Sequence, residues 1–268
     1  VTEGRPVLAY RVDGEGEPLL LLNGGMMTIS SWDPVATSLA EHCRVIRCDL
    51  RGQLLSPGPA PADLAGHADD VAALLDHLGL ATCDVLGTSF GGEVGLLLGA
   101  THSACVHSLV AVTVGDHLDA GGLEGSRRLR EACREALAGG DRGLLFRLLM
   151  PITYSEAYLE ANREALAARQ TAAAALPDAW FAGVAELLCA LEAFDLRPLL
   201  PRIACPTLVV TAGGDRILPP ERGRAVAAAI PGSRHVEVPE SGHALVVEHP
   251  DRLVELVLSF LAEVGAGR

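Results

Sequence analysis

The chain contains no lysine: all 21 of its basic side chains are arginine. Alongside abundant alanine and glycine, that absence marks the coding bias of a GC-rich genome and carries no functional message. Positive charge is scarce altogether. Against 34 acidic residues it leaves a formal net charge of −13. Nucleic acid and anionic membranes both require basic patches, so this balance excludes them as partners and favours solubility. No apolar run reaches the ~18–20 residues of a membrane span, and no signal peptide is visible from Val1. The seven cysteines, Cys43, Cys48, Cys83, Cys105, Cys133, Cys189 and Cys205, are odd in number, scattered and without C-x-x-C spacing. That excludes a disulfide framework and a zinc site and reads as the reduced thiols of a cytoplasmic protein. Internal repeats are absent. The single Ala-rich tract, Thr171–Leu176, reads as helix. Nothing in the composition reports the oligomeric state.

What is present is enough apolar residue, 49 % of 268 positions, for a sizeable core. Short apolar runs at Leu19–Leu22, Arg44–Cys48, Cys83–Leu86, Leu109–Val114, Thr207–Thr211 and His235–Val238 read as strands. They alternate with helical spacing over Trp32–His42, Asp63–Leu78, Phe90–Thr101, Pro220–Ala229 and Asp251–Val264. Such alternation implies βαβ units and a mostly parallel sheet flanked by helices. The runs are apolar throughout, as strands covered on both faces should be. Between about Asp116 and Pro206 the alternation stops. Leu123–Leu137, Arg142–Met150, Ser155–Ala175 and Asp178–Leu191 are all helical in pattern. An all-helical block between two strands of a parallel sheet reads as a cap. The expected division is therefore a core of residues 1–116 and 206–268 with a cap of residues 117–205.

The stretch VLGTSFGGEVGL (Val85–Leu96) places Ser89 between Gly87 and Gly91, where a strand meets a helix. A G-x-S-x-G turn at that junction strains the serine backbone and lifts its hydroxyl out of the sheet. The small neighbours give it room, and the helix N-terminus favours developing negative charge. A serine nucleophile needs a base. Of nine histidines, His243 lies in PESGHALVVEHP, a loop following the strand His235–Val238. The carboxyl ends of strands are where catalytic groups gather in open α/β sheets. His117, at the opening of the cap, could touch substrate; the others read as surface or packing residues. For the acid, VVTAGGDRILPP places Asp215 just beyond the strand Thr207–Thr211. Asp116, after Leu109–Val114, is the rival. Asp49, in CDLRG, reads as organising its own loop with Arg51. The order Ser89, Asp215, His243 is the one that follows a nucleophile elbow. An oxyanion needs two backbone N–H donors. Phe90 should supply one and the NGGMM loop the other, from Gly25 or, second, Met26.

Across nearly its whole length the sequence resembles the α/β-hydrolase superfamily, through LLLLNGG, CDLRGQLLSPG, GTSFGG, TAGGDRILPP and SGHALVVEHP in order. The resemblance implies an α/β-hydrolase fold with an inserted helical cap. It implies Ser89, Asp215 and His243 as a triad, with Gly25 and Phe90 as oxyanion donors. Asn23 stands where many members carry His, and this looks like the oxoadipate enol-lactonases. Leu54 stands where many carry the second glycine of D-x-R-G-x-G-x-S. The expected activity is hydrolysis of a small ester or lactone through an acyl-enzyme, without cofactor or metal. C–C bond hydrolysis or perhydrolysis by the same triad is the alternative, and a non-catalytic ligand receptor the reading from another class. Met26, Trp32, Phe146, Met150 and Trp180, with Phe90, are the apolar candidates for lining a pocket between sheet and cap.

Overall fold

The computed structural model describes residues 8–56 and 58–266. Val1 and Pro57, both within stretches read above, lie outside the described residues. The chain opens with β1 (Tyr10–Asp13) and β2 (Pro18–Leu22), then alternates: α1 (Asp33–Ala40), β3 (Arg44–Cys48), α2 (Leu64–His77), β4 (Cys83–Thr88), α3 (Phe90–Thr101) and β5 (Val106–Val112). Five helices follow with no strand between them: α4 (Ala120–Leu137), α5 (Leu144–Thr153), α6 (Glu156–Ala161), α7 (Arg163–Ala174) and α8 (Asp178–Leu191). The alternation resumes with β6 (Thr207–Ala212), α9 (Pro220–Ala229), β7 (Arg234–Val238), α10 (Leu245–Glu248) and α11 (Pro250–Gly265). The strands form one sheet in the order β1-β3-β2-β4-β5-β6-β7. Every pairing is parallel except β1 with β3.

β2 shows why apolar runs become central strands here. Successive side chains point to opposite faces, and both faces are dry. Leu20 and Leu22 join the cluster under α2, α3 and α9, while Leu19 and Leu21 join the one under α1 and α11. All four are at most 1 % exposed. Each such leucine is worth roughly 1.5–3 kcal/mol of burial, so the run has no solvent face to offer. Val110 and Val112 against Leu109 and Ala111 repeat the division in β5.

Local chemistry sets the helix limits. Asp63 accepts from the Gly66 amide at 2.9 Å to start α2, and Gly79 beyond its end takes φ +67°. Asp119 starts α4 in the same manner through Gly122. Ser155 starts α6 through the Tyr158 amide. The single helix expected over Ser155–Ala175 is broken at Asn162, whose side chain turns back to the Tyr158 carbonyl. β1 was not foreseen. Its YRVD pattern is polar and largely exposed, as suits an antiparallel edge strand. Among the described residues no single helix is long and apolar enough to cross a membrane.

Candidate active site

The loops that leave the carboxyl ends of β2, β3, β4, β6 and β7 converge on one edge of the sheet, with the helical insertion leaving β5 beside them. At the end of β4, Ser89 has φ 51° and ψ −125°. Such a backbone costs about 1–3 kcal/mol and persists only when surroundings enforce it. Here the Ser89 amide donates to the Val112 carbonyl at 2.8 Å, and its carbonyl accepts from Glu93 at 2.9 Å. The flanking glycines are required by close approach. A Cβ on Gly87 would sit 2.4 Å from the Gly91 carbonyl oxygen, and one on Gly91 would sit 2.3 Å from that of Leu22. The helix start therefore presses on both its own strand and β2. This proximity brings the loop after β2 beside Ser89: a Cβ on Gly25 would lie 3.9 Å from the Phe90 Cβ.

His243 and Asp215 meet from neighbouring strands. His243 Nδ1 lies 2.7 Å from Asp215 Oδ2, while Asp215 Oδ1 accepts from the Ile217 and Leu218 amides at 2.8 and 2.9 Å. An ionised carboxylate can only accept, so Nδ1 carries the proton and Nε2 is left as the basic nitrogen. The two loops are joined directly, Gly214 N–H donating to the Ser241 carbonyl at 2.8 Å. Both also dock on the insertion. Arg216 donates to the Pro151 carbonyl, Ala244 N–H to that of Thr153, and Glu248 accepts from the Ser155 amide and hydroxyl and from the Gly242 amide. Burial pushes the His243 ring toward its neutral form. The charges of Asp215 and Glu93 outweigh it, and the pKa ends above the ordinary histidine value. Glu93, one turn beyond Ser89, is itself fully enclosed. Its burial drives its pKa up to about 7, against the opposing pull of the Gly115 amide and His243.

Asp116, the rival acid, belongs elsewhere: His117 Nδ1 lies 2.7 Å from its Oδ1 and Arg222 4.0 Å away. Asp49 organises its loop, but not with Arg51. It accepts from Asn23 Nδ2, the Ile29 amide and the Leu55 amide, whereas Arg51 makes a two-pronged pair with Asp70. Buried His67 stands edge-on to Phe90, ring centres 5.0 Å apart, and burial lowers its pKa to about 4.

Beside the loop after β2 lies an apolar cavity of about 20 Å³, lined by Gly25, Met26, Phe90, Val184, Leu187, Leu188 and Leu191. Met26 and Phe90 are thus brought to it. Trp32 is not: it is fully buried in the cluster under α1 and α11, its Nε1–H donating to Asn23 Oδ1 at 2.7 Å. Phe146 and Trp180 also miss the lining. They stack on each other inside the insertion's own core, ring centres 6.3 Å apart. Met150 is half-buried on α5 and does not line it either. The lining that sequence reading passed over comes from α8, whose spacing at 184, 187, 188 and 191 shows one apolar face without showing what it faces. Leu54, in place of a glycine, packs against the same insertion core.

The family profile described as alpha/beta hydrolase fold matches residues 17–250. The chain is 29 % identical over 261 residues to RutD of Yersinia enterocolitica, named as a carbamate hydrolase, covering 94 % of this chain and 91 % of that protein. It is similar to the solved enol-lactonase of Burkholderia xenovorans, at 28 % identity and a TM-score of 0.82, covering 95 % of this chain and 96 % of that one. It is also similar to a thermophilic esterase of Thermogutta terrifontis, at 29 % identity and a TM-score of 0.83, covering 96 % and 93 %. A profile that spans nearly the entire chain, over a parallel sheet with a strained serine turn at the end of β4, makes this protein a member of the α/β-hydrolase fold family.

Proposed function

We propose that this protein is a serine hydrolase of small carboxylic esters or lactones. The observation that carries the reading is the His243–Asp215 pair at 2.7 Å, set at the same sheet edge as the strained Ser89 turn. In this reading Ser89 Oγ attacks the carbonyl carbon, and His243 Nε2 takes the hydroxyl proton. Asp215 holds the imidazole in the tautomer that leaves Nε2 basic and stabilises the cation that forms. The tetrahedral oxyanion is met by the amides of Gly25 and Phe90. Neither of these amides donates to a backbone acceptor among the described residues, and the first N–H of a helix has no partner within it. The alcohol leaves with the proton from His243, and a water activated by the same nitrogen clears the acyl-enzyme. No cofactor enters this sequence. We read residues 117–205 as a cap that closes the site. The free thiols fit a reducing compartment such as the cytoplasm.

The test is hydrolysis of p-nitrophenyl acetate, butyrate and octanoate by the parent protein and by Ser89→Ala, with a fluorophosphonate probe located by mass spectrometry. The expected result is turnover of at least one of these esters that vanishes in Ser89→Ala, with the probe on the Ser89 peptide of the parent protein. A fully active Ser89→Ala variant would overturn the assignment. A small lactone and an N-substituted carbamate belong in the same panel, given what the enol-lactonase and RutD are named for.

A further inference from the structure

We infer that Gln53 is the residue that aims the Gly25 amide, a positioning role in oxyanion stabilisation; the inference rests on the hydrolase reading above. The starting point is a buried network that no step of that mechanism uses. Asn23, Trp32, Asp49 and Gln53 are all at most 2 % exposed. Asn23 Nδ2 donates to Asp49 Oδ1 at 2.9 Å and to Gln53 Oε1 at 3.0 Å, and Asn23 Oδ1 accepts from Trp32 at 2.7 Å. Gln53 Oε1 also accepts from the Leu50 amide at 2.8 Å, and Gln53 Nε2 donates to the Gly24 carbonyl at 2.8 Å. The orientation of the Gln53 amide is unambiguous. The Leu50 N–H can only donate and the Gly24 oxygen can only accept, so each end of the side chain has one permitted partner.

The Gly24 carbonyl and the Gly25 N–H belong to one planar trans peptide and point in opposite directions. Whatever holds the Gly24 oxygen therefore sets the direction of the Gly25 hydrogen. Two donors hold it: Gln53 Nε2, and the Met27 amide at 3.0 Å closing the turn. The Gly24 N–H is occupied as well, by the Met27 thioether at 3.3 Å. A peptide flanked by glycine on both sides has little intrinsic preference for one orientation. Here that freedom is removed from behind, by a side chain that never meets the substrate. Placing donors before charge develops is what makes an oxyanion site effective.

The test uses the full chain with Gln53→Glu and Gln53→Met. Glutamate keeps the shape and the acceptor for Leu50 and Asn23, but sets a carboxylate oxygen against the Gly24 carbonyl. Methionine keeps the length and has no N–H. Stoichiometric fluorophosphonate labelling counts working sites, so partial misfolding is separated from a change in rate. Expected per labelled site is a 10- to 100-fold fall in kcat for p-nitrophenyl acetate with KM within twofold, below the 10²–10³-fold cost of deleting an oxyanion donor outright. The affinity for a trifluoromethyl ketone, whose adduct carries the same oxyanion, should fall by the same factor. Gln53→His, able to donate from its ring, should recover part of the loss. Where the glutamate variant fails to fold, the methionine variant carries the test. Parental kcat per site in the variants, with Ser89→Ala inactive, overturns the positioning role alone. Full activity in Ser89→Ala overturns the hydrolase reading and this role with it.

Discussion

At the scale of single residues, His243, the proposed base, faces two carboxylates of different kinds. Asp215 touches His243 and is fixed by two amides. Glu93 acts through its charge, from one turn behind Ser89. A histidine serves as a base only when neutral. With its pKa held above 6.5, His243 gains its proton, and activity falls, as pH drops through that raised value. Glu93→Gln keeps an acceptor for the Gly115 amide while removing the charge that helps hold the imidazolium. Glu93 itself titrates near 7, so it and His243 share the acid limb of kcat/KM as a coupled pair, and removing its charge should move that limb to lower pH. A profile over about pH 5 to 9 reads this directly, and an unmoved limb would show that Glu93 charge does not reach the base. The residues in this account were unevenly legible from sequence. Asp215 and His243 are marked by loops after strands, which a sequence displays. Glu93 is not marked, because its significance lies in a fully buried position inside a glycine-rich helix. Gln53 is hidden for a similar reason: its partners, at 23, 24 and 50, meet only when β2 and β3 lie side by side.

At the scale of elements, the central strands could be read because their burial on both faces leaves no polar alternation to confuse with helix. β1 could not, since an exposed edge strand lacks that run. Trp32 was misplaced for a physical reason. An indole needs an acceptor when buried, and Asn23 Oδ1 supplies one at 2.7 Å. The apolar face of α8 was legible as a pattern but not as a wall of the cavity, because amphipathic spacing does not name its partner. What seats α8 is a backbone contact: a Cβ on Gly183 would lie 1.7 Å from the Gly52 carbonyl oxygen. Gly183→Ala must push α8 away from the loop that carries Gln53. Overpacking of this kind costs about 1–3 kcal/mol. Urea unfolding should show that loss, and turnover per labelled site should drop with it. An alanine variant with parental stability would mean that α8 can shift without consequence.

At the scale of the whole molecule, the insertion is anchored unevenly. α8 contributes Trp180, Phe181, Val184 and Leu187 to buried clusters. α6 buries nothing, and α7 buries only Leu166 and Ala173. Hydrogen exchange should follow that difference. Amides of Glu156–Ala174 should exchange well before those of Asp178–Leu191, which should approach the protection of β4. Equal rates across the insertion would contradict it.

The junction between α5 and α6 has a further consequence. Pro151, Thr153 and Ser155 are bonded to the same two loops that carry Asp215 and His243. If the insertion lifted as a rigid body, it would pull on the loops that hold His243 against Asp215 at each opening. The same bonds tie the two together: whatever loosens the α5–α6 junction also loosens the loops that carry Asp215 and His243.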